Sequence, residues 1–207
     1  MLQDINKELL ISLNSLTEYD SIQTIVFYFV DAPIFFLPIF LIISWLYYSY
    51  NKKITYIWEI HLTKNFLKKE NLLYILYSVI IWIIINLSIQ HVIIIERPEE
   101  ALKGIWNLIM YHIPDASFPS DHATVSIAFL TSLFFAWYKK IWLYYTPFVI
   151  LMLLSRIILW IHWPFDILAW IFIWSFSSYI TFKYLSQIKS ISKLNQFIIK
   201  IMWYIKL

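Results

Sequence analysis

The sequence predicts an all-α, polytopic membrane bundle of about five transmembrane helices with additional interfacial amphipathic helices. Two observations carry that prediction. Of the 207 residues, 61% are hydrophobic and 14% are charged, an apolar share well above that of ordinary soluble domains. The apolar residues are also gathered into stretches near the roughly 20 residues that a helix needs to cross a bilayer. The whole chain, 1–207, reads as one membrane-embedded domain without a linker. Cysteine is absent, so neither a disulfide framework nor a thiolate metal site can form. The single glycine, Gly104, excludes glycine-rich phosphate loops and GxxxG helix packing.

Residues 1–20 place Leu2, Ile5, Leu9, Leu13 and Leu16 at helical spacing among polar residues and lack the cationic start of a signal peptide. They predict an interfacial helix. Five apolar spans follow: Ile22 to Tyr48, Leu72 to Ile95, Ser120 to Tyr138, Ile141 to Trp160 and Phe165 to Tyr184. The third is barely long enough to cross, which suits a tilted helix or a thinned bilayer. Only Lys139 and Lys140 separate it from the fourth. From Ser186 to Leu207, Ile188, Ile191, Leu194 and Ile198 alternate with lysines, a segment too short and too charged to span and therefore interfacial.

Orientation follows from the short loops, because lysine and arginine accumulate on the cytoplasmic side. One side holds Lys52, Lys53, Lys64, Lys68, Lys69, Lys139, Lys140 and the lysines from Lys183 onward; the other holds Lys7, Arg97, Lys103 and Arg156. The amino terminus is thereby expected outside and the carboxyl terminus inside. Residues 51–70, with Trp58 among five lysines, are expected on the anionic inner leaflet rather than against nucleic acid.

Six unusual polar residues then share the outer side: Arg97, Ser120, His122, Arg156, His162 and Asp166. Charged groups near hydrocarbon are costly and are usually retained for function. Each has a plainer reading. Arg97 could anchor a helix end, although arginine is disfavoured on the outer side, and Ser120 reads as an N-cap as well as a ligand. His61, His91 and His112 read as interfacial packing residues. Arg156 and His162 would point about 120° apart on one continuous helix, so the helix is expected to break at Pro164. That turn can bring Asp166 back to a ring nitrogen of His162, fixing the tautomer and leaving the other nitrogen as a nucleophile. Asp31, inside the first span, is a functional candidate or a partner for an arginine. The apolar run within 101–114 is expected to form an interfacial lid.

Arg97-Pro98, Pro119-Ser120-Asp121-His122, and Ser155-Arg156 with His162 and Asp166 resemble the three-part signature of the type 2 phosphatidic acid phosphatase superfamily, KxxxxxxRP, PSGH and SRxxxxxHxxxD. The resemblance covers a motif-bearing core at 90–166. The phrase from Ser117 to Thr124 looks most like the undecaprenyl pyrophosphate phosphatase branch associated with bacitracin resistance. There are two departures: the family lysine falls on Gln90 and the family glycine on Asp121. The resemblance implies hydrolysis of undecaprenyl pyrophosphate to undecaprenyl phosphate and phosphate, recycling the cell-wall lipid carrier at the outer face of a bacterial cytoplasmic membrane. It implies that His162, oriented by Asp166, forms a phosphohistidine while His122 protonates the leaving oxygen. Arg97, Arg156 and Ser120 would hold the phosphate, with Gln90, Asp121 and Asp31 auxiliary, and with no metal or other cofactor. Alternatives are another lipid phosphatase of the superfamily, acting on phosphatidylglycerophosphate or a lipid A phosphate, or a non-catalytic lipid-phosphate-binding membrane protein. A metal held by His122, His162, Asp121 and Asp166 is a further alternative, without the carboxylate cluster of a metallophosphatase.

Overall fold

A computed structural model describes residues 2–50, 58–102 and 117–204, and among them every regular element is helical. In chain order these are α1 (Leu2–Asn14), α2 (Asp20–Phe29), α3 (Phe36–Tyr50), α4 (Trp58–Gln90), α5 (Pro98–Ala101), α6 (Asp121–Phe135), α7 (Lys139–Ile158), α8 (Pro164–Leu185) and α9 (Lys189–Tyr204). Four segments among the described residues are long and apolar enough to cross a membrane: Asp20–Tyr50, Phe66–Gln90, Lys139–Ile158 and Pro164–Leu185. The chain is thus a multi-pass membrane protein. The lid expected within 101–114 lies almost wholly outside the described residues.

The fourth and fifth predicted spans fall within two residues of α7 and α8, but the first three differ. The first is not one helix: α2 gives way at Asp31 to a 3₁₀ turn, Ala32–Phe35, before α3 begins. Pro33 has no N–H for the α-helical ladder and disfavours helical geometry in the residue before it. The second span stops at Gln90 rather than Ile95, and Val92 and Ile94 lie exposed beyond it. At its other end, the lysine-rich stretch from Trp58 onward is continuous with this helix instead of forming a separate surface segment. The third, α6, has 15 residues and so rises only about 22 Å against a hydrocarbon core near 30 Å. It does not need to face lipid. Ala123, Val125, Ile127, Ala128, Phe129 and Leu133 are all buried in the main core against α4, α7 and α8, and small residues such as Ala123, Ser126 and Ala128 let those neighbours approach.

Two residues past the last residue of α6 and of α7 the chain enters the left-handed region, at Trp137 with φ 63° and at Trp160 with φ 62°. Glycine usually takes that position because it has no Cβ to clash. Here tryptophan takes it, and past Trp160 the N–H groups of Ile161 and His162 turn back to the Arg156 carbonyl at 3.0 and 3.2 Å. Pro164 then occupies the first turn of α8. At the same end of the bundle, α1 lies across α7 and α8. Its Leu10 is fully buried, Asn14 donates to the Ile158 carbonyl at 2.7 Å, and Asn6 accepts from the Phe165 N–H at 3.1 Å. Those bonds satisfy groups that helix termini leave without intrahelical partners. At the opposite end, α9 docks on α4 through Asn195, which accepts from the Tyr77 hydroxyl at 2.9 Å. Leu194, Phe197, Ile201 and Trp203 of α9 remain exposed, as an interfacial helix requires.

Candidate active site

Four helix ends and one helix break supply the site. Arg97 precedes α5 in extended backbone, is buried, and donates from Nη1 to the Ile161 carbonyl at 3.1 Å. Ser120 caps α6, its hydroxyl accepting from the Ala123 N–H at 3.4 Å, which places Asp121 and His122 in the first helical turn. Arg156 occupies the last turn of α7 and is 2% exposed. Its Nη1 donates to Asp31 Oδ1 at 2.9 Å and to the Val30 carbonyl at 3.3 Å. Its Nε is buried with no hydrogen-bond partner among the described residues, an arrangement that native proteins rarely leave unexplained. His122 Nε2 meets the same Asp31 oxygen at 3.0 Å. One carboxylate oxygen thus bridges the guanidinium and the imidazole, so the break at Asp31 delivers an anion between two residues singled out from sequence.

His162 is fully buried, and its Nδ1 lies 2.7 Å from the Ser117 backbone carbonyl. Sequence spacing leads one to expect Asp166 at that nitrogen. Asp166 is nearby, in the first turn of α8, but it accepts from the Ser117 hydroxyl at 3.0 Å, and that hydroxyl oxygen stands 3.5 Å from Nδ1. The difference has a backbone cause. The Ser117 N–H is fastened to the Ile95 carbonyl at 2.7 Å, and the segment so held runs between the ring and the carboxylate.

The two departures from the family pattern meet each other. Gln90, at the end of α4, donates from Nε2 to Asp121 Oδ1 at 2.8 Å and to the Pro119 carbonyl at 2.6 Å. One turn earlier, buried Asn86 also donates to Asp121 Oδ1, and its own carbonyl accepts from the Thr124 hydroxyl at 2.6 Å. Asp121 therefore lies in a cradle of neutral donors at the positive end of a helix. Ser117, Asn86 and Thr124 were not among the sequence candidates. Asn86 and Gln90 lie four apart in an apolar helix, a spacing that puts two amides on one face and could have marked them as a pair. Ser117 and Thr124 are the two ends of the phrase that carries the branch resemblance, and that could have marked them.

All six sequence-selected residues are found at this end of the bundle. His162, Arg97 and Arg156 are joined through the turn at 156–162, His122 joins Arg156 through Asp31, and Asp166 joins His162 through Ser117. Ser120 reaches them along α6. Among the described residues no three His, Asp or Glu side chains converge as a metal site would require. Two buried arginines, two histidines and a capped helix N-terminus make a site able to hold a tetrahedral oxyanion beside an imidazole. No curated protein and no solved structure gives a significant match to the chain. A family model described as the PAP2 superfamily matches residues 71–189, more than half of the sequence and all of the motif-bearing core. The chain belongs to the PAP2 superfamily, and that membership points to a phosphatase of lipid phosphates.

Proposed function

We propose that residues 1–207 act as one phosphatase domain that hydrolyses undecaprenyl pyrophosphate to undecaprenyl phosphate and inorganic phosphate. The setting is the outer face of a bacterial cytoplasmic membrane. The chief support is the anion position between Arg156 and His122, where one carboxylate oxygen sits 2.9 Å from the guanidinium and 3.0 Å from the ring nitrogen. A phosphoryl oxygen uses the same donors. The Nδ1–H of His162 points to the Ser117 carbonyl, and in that tautomer the lone pair lies on Nε2.

The steps are those that the family resemblance implies, carried by these residues. His162 Nε2 attacks the terminal phosphorus, and the bond to the bridging oxygen breaks with its electron pair going to that oxygen. His122, at the N-terminus of α6, gives that oxygen its proton. Arg97 and Arg156 face the equatorial oxygens with forked donors. Water then attacks the phosphohistidine, now with His122 as base, releasing phosphate and restoring His162. A pyrophosphate suits this site because cleavage releases a phosphomonoester oxygen rather than an alkoxide. Less help is then needed from a cation, and Gln90 supplies none.

The test is phosphate release by purified protein in detergent, with farnesyl pyrophosphate compared against phosphatidic acid. The expected result is a kcat/KM higher for the pyrophosphate by about tenfold or more, equivalent to about 1.4 kcal/mol, abolished for both substrates by His162→Ala. Equal or better efficiency on phosphatidic acid would overturn the undecaprenyl assignment and leave a different lipid phosphatase. Tight binding of lipid phosphates with no release would leave a binding protein.

A further inference from the structure

We infer that Ser117 is the positioning residue through which Asp166 acts on His162, an inference that rests on reading His162 as the nucleophile. Ser117 is fully buried, and it has a contact on each side. Its carbonyl meets His162 Nδ1 at 2.7 Å, while its hydroxyl donates to Asp166 Oδ2 at 3.0 Å. A hydroxyl has a single proton to donate, and here the carboxylate takes it. The ring's own proton therefore goes to the backbone carbonyl. The Ser117 N–H is fastened to the Ile95 carbonyl at 2.7 Å, so the peptide that aims the ring is held by the chain on one side and by Asp166 on the other.

This relay differs chemically from a direct histidine–carboxylate pair. A carboxylate on Nδ1 would both orient the ring and strongly favour the imidazolium. A backbone carbonyl orients the ring and fixes its tautomer without adding a full charge at the nitrogen. Asp166 then works by keeping the Ser117 carbonyl in place. Its action on the ring runs through the hydroxyl, while a second hydrogen bond ties the carboxylate to the Trp163 backbone at the start of α8.

The experiment compares full-length wild type, S117A, D166A, the S117A/D166A double variant and S117T in detergent. One readout is kcat and KM for phosphate release from farnesyl pyrophosphate. The other is the ¹⁵N chemical shift of His162 in histidine-labelled protein, which needs no turnover. S117A and D166A should each lower kcat on the order of tens-fold, since a small misplacement of a reacting group costs that much, with KM changed by less than about threefold. The double variant should be no slower than the slower single variant. S117T, which keeps the hydroxyl, should retain most of the activity. The His162 shift should move in the same direction in both single variants and no further in the double. Wild-type turnover in S117A alongside a slow D166A would overturn the relay, as would losses that multiply in the double variant or an S117T as slow as S117A. Should wild type release phosphate from no lipid substrate, the phosphatase reading falls, and the ¹⁵N comparison still decides the relay. A D166A shift of the same size with or without the Ser117 hydroxyl refutes it.

Discussion

Gln90 and Asp121 show how two residues that each look unfavourable for phosphate binding become intelligible as a pair. Alone, Gln90 removes a cation and Asp121 adds an anion near the proposed phosphate position. Together they form a 2.8 Å hydrogen bond, with Asn86 as a second donor to the same carboxylate oxygen. A lysine at position 90 would meet that carboxylate before it met a substrate. Gln90→Lys alone is therefore expected to change KM for a polyprenyl monophosphate by less than about twofold. Combined with Asp121→Gly, it should lower that KM by about tenfold, the scale of one hydrogen bond to a charged group. The measurement is a set of four KM values for wild type, the two single variants and the double variant. If Gln90→Lys alone matches the double variant, Asp121 is not the partner that matters.

At the scale of elements, the turn between α7 and α8 that carries His162 depends on a helix that carries none of the predicted chemistry. Just past α7, Trp160 takes left-handed geometry, costing about 1–2 kcal/mol for a residue with a Cβ, and the carbonyl of Ile158, the last residue of α7, accepts from Asn14 of α1 at 2.7 Å. Asn6 of the same helix accepts from the first turn of α8 at 3.1 Å. α1 therefore ties together the helix before the His162 turn and the helix after it. Asn14→Ala should destabilise the protein by about 1 kcal/mol, the usual net value of such a bond, and lower Tm in detergent by about 2–4 °C. Ser15→Ala removes only an exposed local bond to the Ser12 carbonyl and should leave Tm unchanged. Equal shifts for the two variants would mean that α1 holds the turn by apolar contact alone.

For the molecule as a whole, sidedness is the property that the lysine distribution predicts and the helix order makes checkable. α4 ends at the site, α6 starts there, α7 returns to it and α8 leaves again, so the α8–α9 junction lies at the far end from α1. The native chain has no cysteine, which makes introduced thiols unambiguous. In intact cells, Ser15→Cys should react with a membrane-impermeant maleimide, and Ser186→Cys should react only after the cells are opened. Both positions are exposed. The reverse labelling pattern would put the site on the cytoplasmic face and remove the proposed role in recycling a carrier from the outside.

The all-α class, the membrane setting and the spans that became α7 and α8 were legible in the sequence because apolar length and breaker residues are local quantities. The six candidate residues stood out for a related reason, since polar groups at the ends of apolar spans are costly, and the bundle gathers them at one end. Tertiary structure alone decided what those residues touch. Asp31 reaches Arg156 across 125 positions, Gln90 reaches Asp121 across 31, and Ser117 reaches Asp166 across 49. Only the packed bundle decided that 15-residue α6 could be central, because burial by neighbouring helices replaces the length that exposure to lipid would demand. A hydrogen bond needs its donor within about 3 Å of its acceptor and well aligned. That condition is set by the meeting of helix ends distant in sequence, and no periodicity along the chain encodes it.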